Sequence, residues 1–132
     1  MIALDTNVII RVVTADDPRQ LKVALEVFEA DNLWICKTVL LETEWVLRYS
    51  YKLDPVSIHE IFRKLLGYPR FQIEDRDAVL RALMLFERGL DFADALHLAS
   101  SGEAERFVTF DRPFAKAARN LEDGSTVELL DP

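Results

Sequence analysis

Short apolar runs alternate along the chain with longer segments in which apolar residues recur at helical spacing. The runs at 2–5, 33–36 and 106–110 predict short buried strands, and those at 71–75 and 126–130 are further candidate strands. Helices are predicted between them at residues 7–14, 18–30, 38–51, 55–66, 76–89, 92–101 and 112–120. This alternation predicts an α/β sandwich with a short, mostly parallel central sheet.

Aspartate followed by proline marks the start of two of these helices. Asp17 precedes Pro18, and Asp54 precedes Pro55. Aspartate is a favoured N-cap, and proline suits the first helical position because its missing N–H has no intrahelical partner there. Gly67 stands where the helix after Pro55 should end, at the C′ position that glycine favours.

Length and composition predict one globular domain, residues 1–132. Half of the residues are hydrophobic, which is typical of a folded chain, and 132 residues are too few for two ordinary domains. The single cysteine, Cys36, excludes an internal disulfide and a cysteine-rich zinc site. No basic leader precedes an apolar stretch, and no segment approaches transmembrane length. We therefore expect a cytoplasmic protein without a membrane partner.

The charge balance argues against a simple basic nucleic-acid binder. The chain has 16 basic and 23 acidic residues, a formal net charge of −7. A nucleic acid can still be the substrate if clustered acids bind divalent cations, because the bound cations change the potential that the substrate meets.

Two of the predicted strands are followed by an aspartate. Asp5 ends the first strand, and Asp111 ends the strand at 106–110. Ligands of open parallel sheets bind beyond the carboxyl ends of the strands, so two such strands in one sheet would bring both carboxylates to one edge. Each acid also precedes a helical segment, and helix capping explains either acid taken alone. The pairing of the two favours a site.

The helix at 38–51 contains two glutamates that should face different sides. Glu42 and Glu44 are two residues apart, about 200° around a helix. Glu44 precedes Arg48 by four residues, which predicts a solvated ion pair. Glu42 instead has Trp45 one turn on and no cation beside it, and an unpaired acid on an apolar stripe is costly. Glu42 is therefore the stronger candidate for a site.

Two further acids stand at the start of the helix at 92–101. Asp91 and Asp94 are three residues apart, the spacing of a capping arrangement, and both should lie in the first turn of an apolar helix. Spacing alone does not rank them. His97 follows Asp94 by about one turn, which is within reach of the site, although we expect this histidine to pack in or near the core.

Clustered carboxylates suit a hard divalent cation. Magnesium and manganese prefer oxygen ligands, and such ions can ionise a water molecule and stabilise a leaving oxygen at a phosphorus. Competing motifs fail: His59-Glu60 begins a zinc-protease signature, but Arg63 occupies the place of its second histidine. The four glycines form no phosphate loop, and the tryptophans and phenylalanines are spaced as core rather than as an exposed stacking platform.

The sequence resembles PIN-domain ribonucleases of the VapC toxin type. The resemblance lies in LDTNVII, TVLLETEWVL, GLDFADALHLA and VTFDRPF, in this order and spacing, and covers essentially the whole chain. It implies a three-layer α/β/α fold with a short, mostly parallel sheet. The catalytic and metal-binding residues that it implies are Asp5, Glu42, Asp94 and Asp111. The supporting polar positions are Asn7 and Thr109, with Asp91 beside Asp94.

The resemblance also implies an activity and partners. Such proteins cleave RNA with magnesium or manganese, act as toxins, often form dimers, and are inhibited by a small antitoxin protein that covers the acidic pocket. Two other classes stay open from the residues. One is a magnesium phosphohydrolase of small phosphate esters, although the usual D-x-D nucleophile motif is absent. The other is a non-catalytic acidic module that binds metal or a partner protein.

Overall fold

The computed structural model describes residues 1–121 and 126–132, and helices make up most of that part of the chain. The elements in chain order are β1 (Ile2–Ala3), α1 (Thr6–Thr14), α2 (Pro18–Ala30), β2 (Leu33–Ile35), α3 (Lys37–Tyr49), α4 (Pro55–Leu66), β3 (Phe71–Ile73), α5 (Arg76–Glu87), α6 (Phe92–Ala99), β4 (Phe107–Thr109), α7 (Arg112–Leu121) and β5 (Val127–Leu129). Every predicted element is present, with ends that differ by at most two residues.

The chain divides into two compact units, Met1–Arg76 and Asp77–Pro132. The first unit contains a three-stranded parallel sheet in the order β1-β2-β3. Its central strand is apolar and fully buried at Leu33 and Ile35, as expected for a strand with neighbours on both sides. The prediction of a buried first strand is wrong for Ile2 and Ala3, which are exposed at the sheet's edge, whereas Leu4 is buried.

Helices of the first unit pack around this sheet and around one another. α1 packs against both α2 and α3, and α3 also contacts α4. The buried side chains of these helices include Ile9, Leu40, Leu47, Ile58 and Phe62. The contact of α1 with α3 joins two helices that each carry or follow one of the predicted site acids.

The second unit contains a separate two-stranded sheet in which β4 and β5 run parallel. Phe107 lies opposite Val127, and Thr109 lies opposite Leu129. α7 packs on β5, with Ala115 and Ala118 fully or almost fully buried. The prediction of a single central sheet is thus not reproduced among the described residues, where the strands pair in two sheets.

Two helices begin at the predicted aspartate–proline pairs. Asp17 accepts hydrogen bonds from the backbone N–H groups of Arg19 and Gln20, each at 3.1 Å. Asp54 accepts one from Ser57 at 2.8 Å. These bonds satisfy N–H groups that have no partner inside the helix. Gly67 follows α4 as predicted but has φ −82, so it does not adopt the left-handed conformation of the usual glycine cap.

No helix in residues 1–121 and 126–132 is both long and apolar enough to cross a membrane. Short parallel strands separated by helices confirm the α/β class predicted from the pattern of apolar residues.

Candidate functional site

Asp5 and Glu42 line the same cavity in the first unit. The cavity has a volume of about 350 Å³ and lies between the start of α1, the middle of α3 and the residues that follow α3. Its charged lining residues are Asp5, Glu42 and Arg11, and Asn7 and Tyr51 are among its polar ones. The packing of α1 against α3 therefore brings together two acids that are 37 positions apart in the sequence.

Asp5 combines a capping role with an exposed carboxylate. The N–H of Leu4 donates to the carbonyl of Trp34 at 3.0 Å, so the pairing of β1 with β2 continues up to the residue before Asp5. Asp5 Oδ1 then accepts a hydrogen bond from the Thr6 N–H at 2.9 Å. Its Oδ2 accepts none among the described residues, which leaves one oxygen for a cation.

The burial of the two glutamates of α3 is the reverse of the prediction. Glu42 is exposed and has no hydrogen bond or ion pair within the described part of the chain. Glu44 is only 2% exposed, and Arg48 donates to both of its oxygens, from Nε at 2.8 Å and from Nη2 at 3.0 Å. A buried carboxylate needs such a partner, whereas an exposed one in a cavity is open to a ligand.

Two polar neighbours of Asp5 also line this cavity. Asn7, predicted to support the site, is exposed there. Thr6 is 5% exposed, and its hydroxyl has no partner among the described residues. A buried hydroxyl without a hydrogen bond lowers the stability of the fold by about 1–3 kcal/mol, and this destabilising group lies directly beside Asp5.

The second unit holds the other predicted acids. Asp91 caps α6 by accepting a hydrogen bond from the Asp94 N–H at 3.1 Å. Burial raises the pKa of Asp94, and the negative charges of Asp91 and Asp111 raise it further. Asp94 thus lies within the electrostatic influence of both neighbouring carboxylates, as expected where like charges approach each other.

His97 is exposed, so the prediction that it packs in or near the core is wrong. Its positive form lowers the pKa of Asp94 and partly offsets the effect of the neighbouring acids. Lying three residues after Asp94 on α6, it is close enough to influence that carboxylate.

Asp111 is exposed at the start of α7. Its Oδ1 accepts a hydrogen bond from the Phe114 N–H at 2.9 Å, and its own N–H donates to Thr109 Oγ1 at 3.0 Å. Thr109, predicted to support the site, therefore fixes the backbone that carries Asp111. The alternative interpretation, helix capping, also holds: each of the three aspartates Asp5, Asp91 and Asp111 accepts a hydrogen bond at the start of a helix.

The donor chemistry of these residues fits magnesium or manganese. Each unit supplies carboxylates with hard oxygen atoms, and such ions bind through one or two carboxylates while keeping several waters. No group of three or more histidine, cysteine or acidic side chains lies at metal-binding spacing within residues 1–121 and 126–132. Asp5 and Glu42 in one cavity are thus the donors that the first unit brings together.

The sequence did not predict the polar cluster of Arg11, Asp16 and Tyr51, of which Arg11 and Tyr51 line this cavity. Arg11 donates to Asp16 at 3.0 Å and to the Tyr51 hydroxyl at 3.2 Å, and Tyr51 donates to Asp16 at 2.7 Å. The hydrogen bond from Tyr51, with one from Thr14 and the charge of Arg11, lowers the pKa of Asp16. The five-residue spacing of Arg11 and Asp16 hinted at a local pair, but nothing in the sequence linked Tyr51 to it.

Comparison with known families decides the classification. Residues 2–120 match the family described as PIN domain, a span that includes all four predicted catalytic acids. The chain belongs to the PIN domain family. This membership and the parallel α/β architecture confirm the PIN-like fold class, and the family is one of metal-dependent nucleases. A comparison with curated proteins found no match.

Proposed function

We propose that this PIN-domain chain is an endoribonuclease that hydrolyses RNA phosphodiester bonds with magnesium or manganese. The proposed catalytic and metal-binding residues are Asp5, Glu42, Asp94 and Asp111, and the proposed supporting residues are Asn7, Asp91 and Thr109. One observation carries the proposal: Asp5 and Glu42 present exposed carboxylates to one cavity in a chain of a nuclease family.

The side chains of Asp5, Asp111 and Glu42 differ in how firmly the fold holds them. Asp5 is anchored by the hydrogen bond from Thr6, so its second oxygen has a defined position. Asp111 is anchored in the same manner by Phe114. Glu42 has no hydrogen bond or ion pair with any described residue, so its longer side chain can adjust to a ligand. A bound magnesium or manganese ion supplies a Lewis acid that lowers the pKa of the attacking water and stabilises the leaving oxygen.

The negative charge of the proposed ligands supports the proposal that they bind a divalent cation. Burial raises the pKa of Asp94, and the negative charges of Asp91 and Asp111 raise it further. A divalent cation would relieve the repulsion between these charges. Asp5 and Glu42 come from the first unit, whereas Asp94 and Asp111 come from the second. We propose that residues 1–132 form a single nuclease domain.

The biological role proposed is that of a VapC-type toxin in a toxin–antitoxin pair. It rests on the four motifs that resemble those toxins, together with the PIN-domain match. The proposed partner is a small antitoxin protein that covers the acidic pocket, and the proposed location is the cytoplasm. Co-purification of the chain with the product of a neighbouring small gene, and loss of RNA cleavage in that complex, is the expected outcome.

A homodimer is proposed from the exposed aromatic pair of α3. Trp45 is 53% and Tyr49 is 50% exposed, and their rings lie 5.0 Å apart. Large exposed aromatic patches mark interaction surfaces. Tyr51, two residues after Tyr49, is not part of this pair: it donates a hydrogen bond to Asp16 and accepts one from Arg11. Light scattering tests the dimer, and a single-chain mass at micromolar concentration would remove it.

The deciding assay compares substrates and metals on purified, partner-free protein. We expect RNA to be cleaved with manganese and to stay intact in a chelator. Release of phosphate from small esters, with RNA left intact, would favour a phosphohydrolase. Metal binding without any hydrolysis would favour a non-catalytic module.

A further inference from the structure

Among the described residues that line the cavity of Asp5 and Glu42, Arg11 is the only one with a positively charged side chain. It stands in the last turn of α1, six residues after Asp5, and is about one-third exposed. The same cavity therefore has carboxylates on one part of its wall and a guanidinium on another. Once cations neutralise the carboxylates, Arg11 makes this cavity attractive to an anion.

The guanidinium is held in place by three partners. Nε donates to Gln20 at 2.6 Å, and Nη1 donates to both Asp16 and Tyr51. Asp16 is itself fixed by hydrogen bonds from Tyr51 and Thr14. A side chain held in this way loses little further rotational freedom when it binds a ligand.

Two of its donors remain for a ligand. Nη2 of Arg11 makes no hydrogen bond within residues 1–121 and 126–132, although Nε and Nη1 are both engaged. Guanidinium N–H groups match the oxygens of a phosphate in geometry and charge. The cavity, at about 350 Å³, falls in the size range of small-ligand sites.

We infer that Arg11 binds a backbone phosphate of the RNA next to the bond that is cleaved. Asp16, Gln20 and Tyr51 are positioning residues that hold the guanidinium. The inference rests on the proposed ribonuclease function and adds a substrate-binding residue outside the acidic quartet. Arg11 orients the strand, and the acids act on the adjacent phosphodiester.

The test separates RNA binding from RNA cleavage. Binding of a labelled single-stranded RNA is measured by anisotropy in calcium, a cation that also takes oxygen ligands, with a gel to verify that the strand is intact. Arg11→Gln should weaken binding about tenfold or more, as loss of a charge-assisted hydrogen bond implies. The slope of log affinity against log salt should fall by about 0.7, the value for one phosphate on a single strand. Arg11→Lys should restore part of the affinity.

A matched control comes from the neighbouring helix. Arg19 is exposed and lines an adjacent groove together with Arg11, but not the cavity of Asp5 and Glu42. Arg19→Gln removes the same charge and should leave the affinity and its salt slope close to wild type. Equal losses in the two variants would show a general charge effect and overturn the assignment.

Asp16→Asn distinguishes phosphate binding from a purely structural role. If Arg11 served only to hold Asp16 and Tyr51, Asp16→Asn should weaken RNA binding in the same way as Arg11→Gln. Under our inference, Asp16→Asn removes a competing negative charge but keeps a side-chain oxygen that can accept from Arg11, and Gln20 and Tyr51 still hold the guanidinium. RNA binding should then be at least as tight as in wild type.

The outcomes also separate this inference from the proposed function. RNA that binds with the predicted Arg11 dependence but is never cleaved in manganese would refute the nuclease and leave the Arg11 site supported. Cleavage with unchanged binding in Arg11→Gln would refute the Arg11 site alone. Wild-type protein that binds no RNA in calcium would overturn the inference as well.

Discussion

Arg48 donates hydrogen bonds to both carboxylate oxygens of Glu44, at 2.8 and 3.0 Å, although Glu44 is only 2% exposed. The guanidinium also stands 4.7 Å from the centre of the Tyr49 ring, which adds a cation–π contact. Glu44 is thus a structural acid whose charge is matched inside the fold. Its neighbour Glu42, two positions away, is exposed in the cavity with Asp5.

The first prediction concerns the stability of Glu44→Gln and Glu42→Gln. Glu44→Gln keeps the shape of the side chain but leaves Arg48 without its buried anion, so we expect a loss of about 1–3 kcal/mol in the free energy of unfolding. Glu42→Gln should leave the free energy of unfolding almost unchanged without metal, because that carboxylate has no hydrogen bond or ion pair with any described residue to lose. Urea unfolding in a chelator measures both, and equal stability of the two variants would contradict the structural role of Glu44.

The second prediction uses the helix caps. Asp5→Asn and Asp111→Asn should keep their helices intact, because asparagine caps nearly as well as aspartate. Both should lose more than about 100-fold in manganese-dependent cleavage, since even outer-shell changes at metal sites cost about 10–100-fold. Asp54→Asn is the matched control, a capping aspartate at α4 that is not part of the proposed site. If all three variants cleave RNA alike, the two proposed ligands act only as caps.

The third prediction is a pH effect on stability in the absence of metal. The folded protein raises the pKa of Asp94 and so holds its proton more tightly than the unfolded chain does. As the pH rises from the ordinary aspartate pKa of about 3.9 through the raised pKa of Asp94, the folded state loses this advantage. Wild type should therefore lose stability relative to Asp94→Asn over that pH range. Melting temperatures in a chelator across acidic pH measure this difference.

Asp54 provides a control of opposite sign for that measurement. Hydrogen bonds from the side chain and backbone of Ser57 lower the pKa of Asp54. Wild type should gain stability over Asp54→Asn as the pH rises from the lowered pKa of folded Asp54 to the ordinary pKa of an aspartate in the unfolded chain. A constant difference between wild type and Asp94→Asn at every pH would contradict the raised pKa of Asp94, which burial and then the charges of Asp91 and Asp111 cause.

The fourth prediction is stabilisation by metal. A cation that binds only the folded protein adds about 2.7 kcal/mol to the free energy of unfolding at a concentration one hundred times its dissociation constant. The melting temperature should rise with manganese in wild type and in Glu44→Gln, and much less in Glu42→Gln. An unchanged melting temperature for wild type at saturating manganese would count directly against the proposed metal site.

Local patterns in the sequence predicted most elements of the fold. Proline and aspartate fix the starts of α2 and α4 through chemistry within a few residues, so Asp17 and Asp54 were identified correctly. Apolar spacing likewise located the strands. The division of the strands between two sheets depends on long-range pairing, which single-sequence periodicity does not report.

The site was harder to predict because burial is set by neighbours in space. Glu44 and Arg48 have the spacing of an exposed helical pair, yet the surrounding packing buries Glu44 and leaves Glu42 exposed. The choice of Glu42 agrees with its place in the cavity, but the reasoning about an apolar stripe was wrong. Trp45, expected in the core, is exposed for the same reason.

The most direct test is manganese-dependent RNA cleavage by purified Glu42→Gln and Glu44→Gln, measured beside wild type at a temperature where all three are folded. Both changes remove one carboxylate from the same helix, so helix propensity and net charge change alike. We predict that Glu42→Gln retains less than about one hundredth of the wild-type rate, since a neutral amide is a poor ligand for a hard cation. Glu44→Gln should cleave at close to the wild-type rate per folded molecule. Full activity in Glu42→Gln, or no metal-dependent cleavage by wild type, would contradict the proposed ribonuclease site.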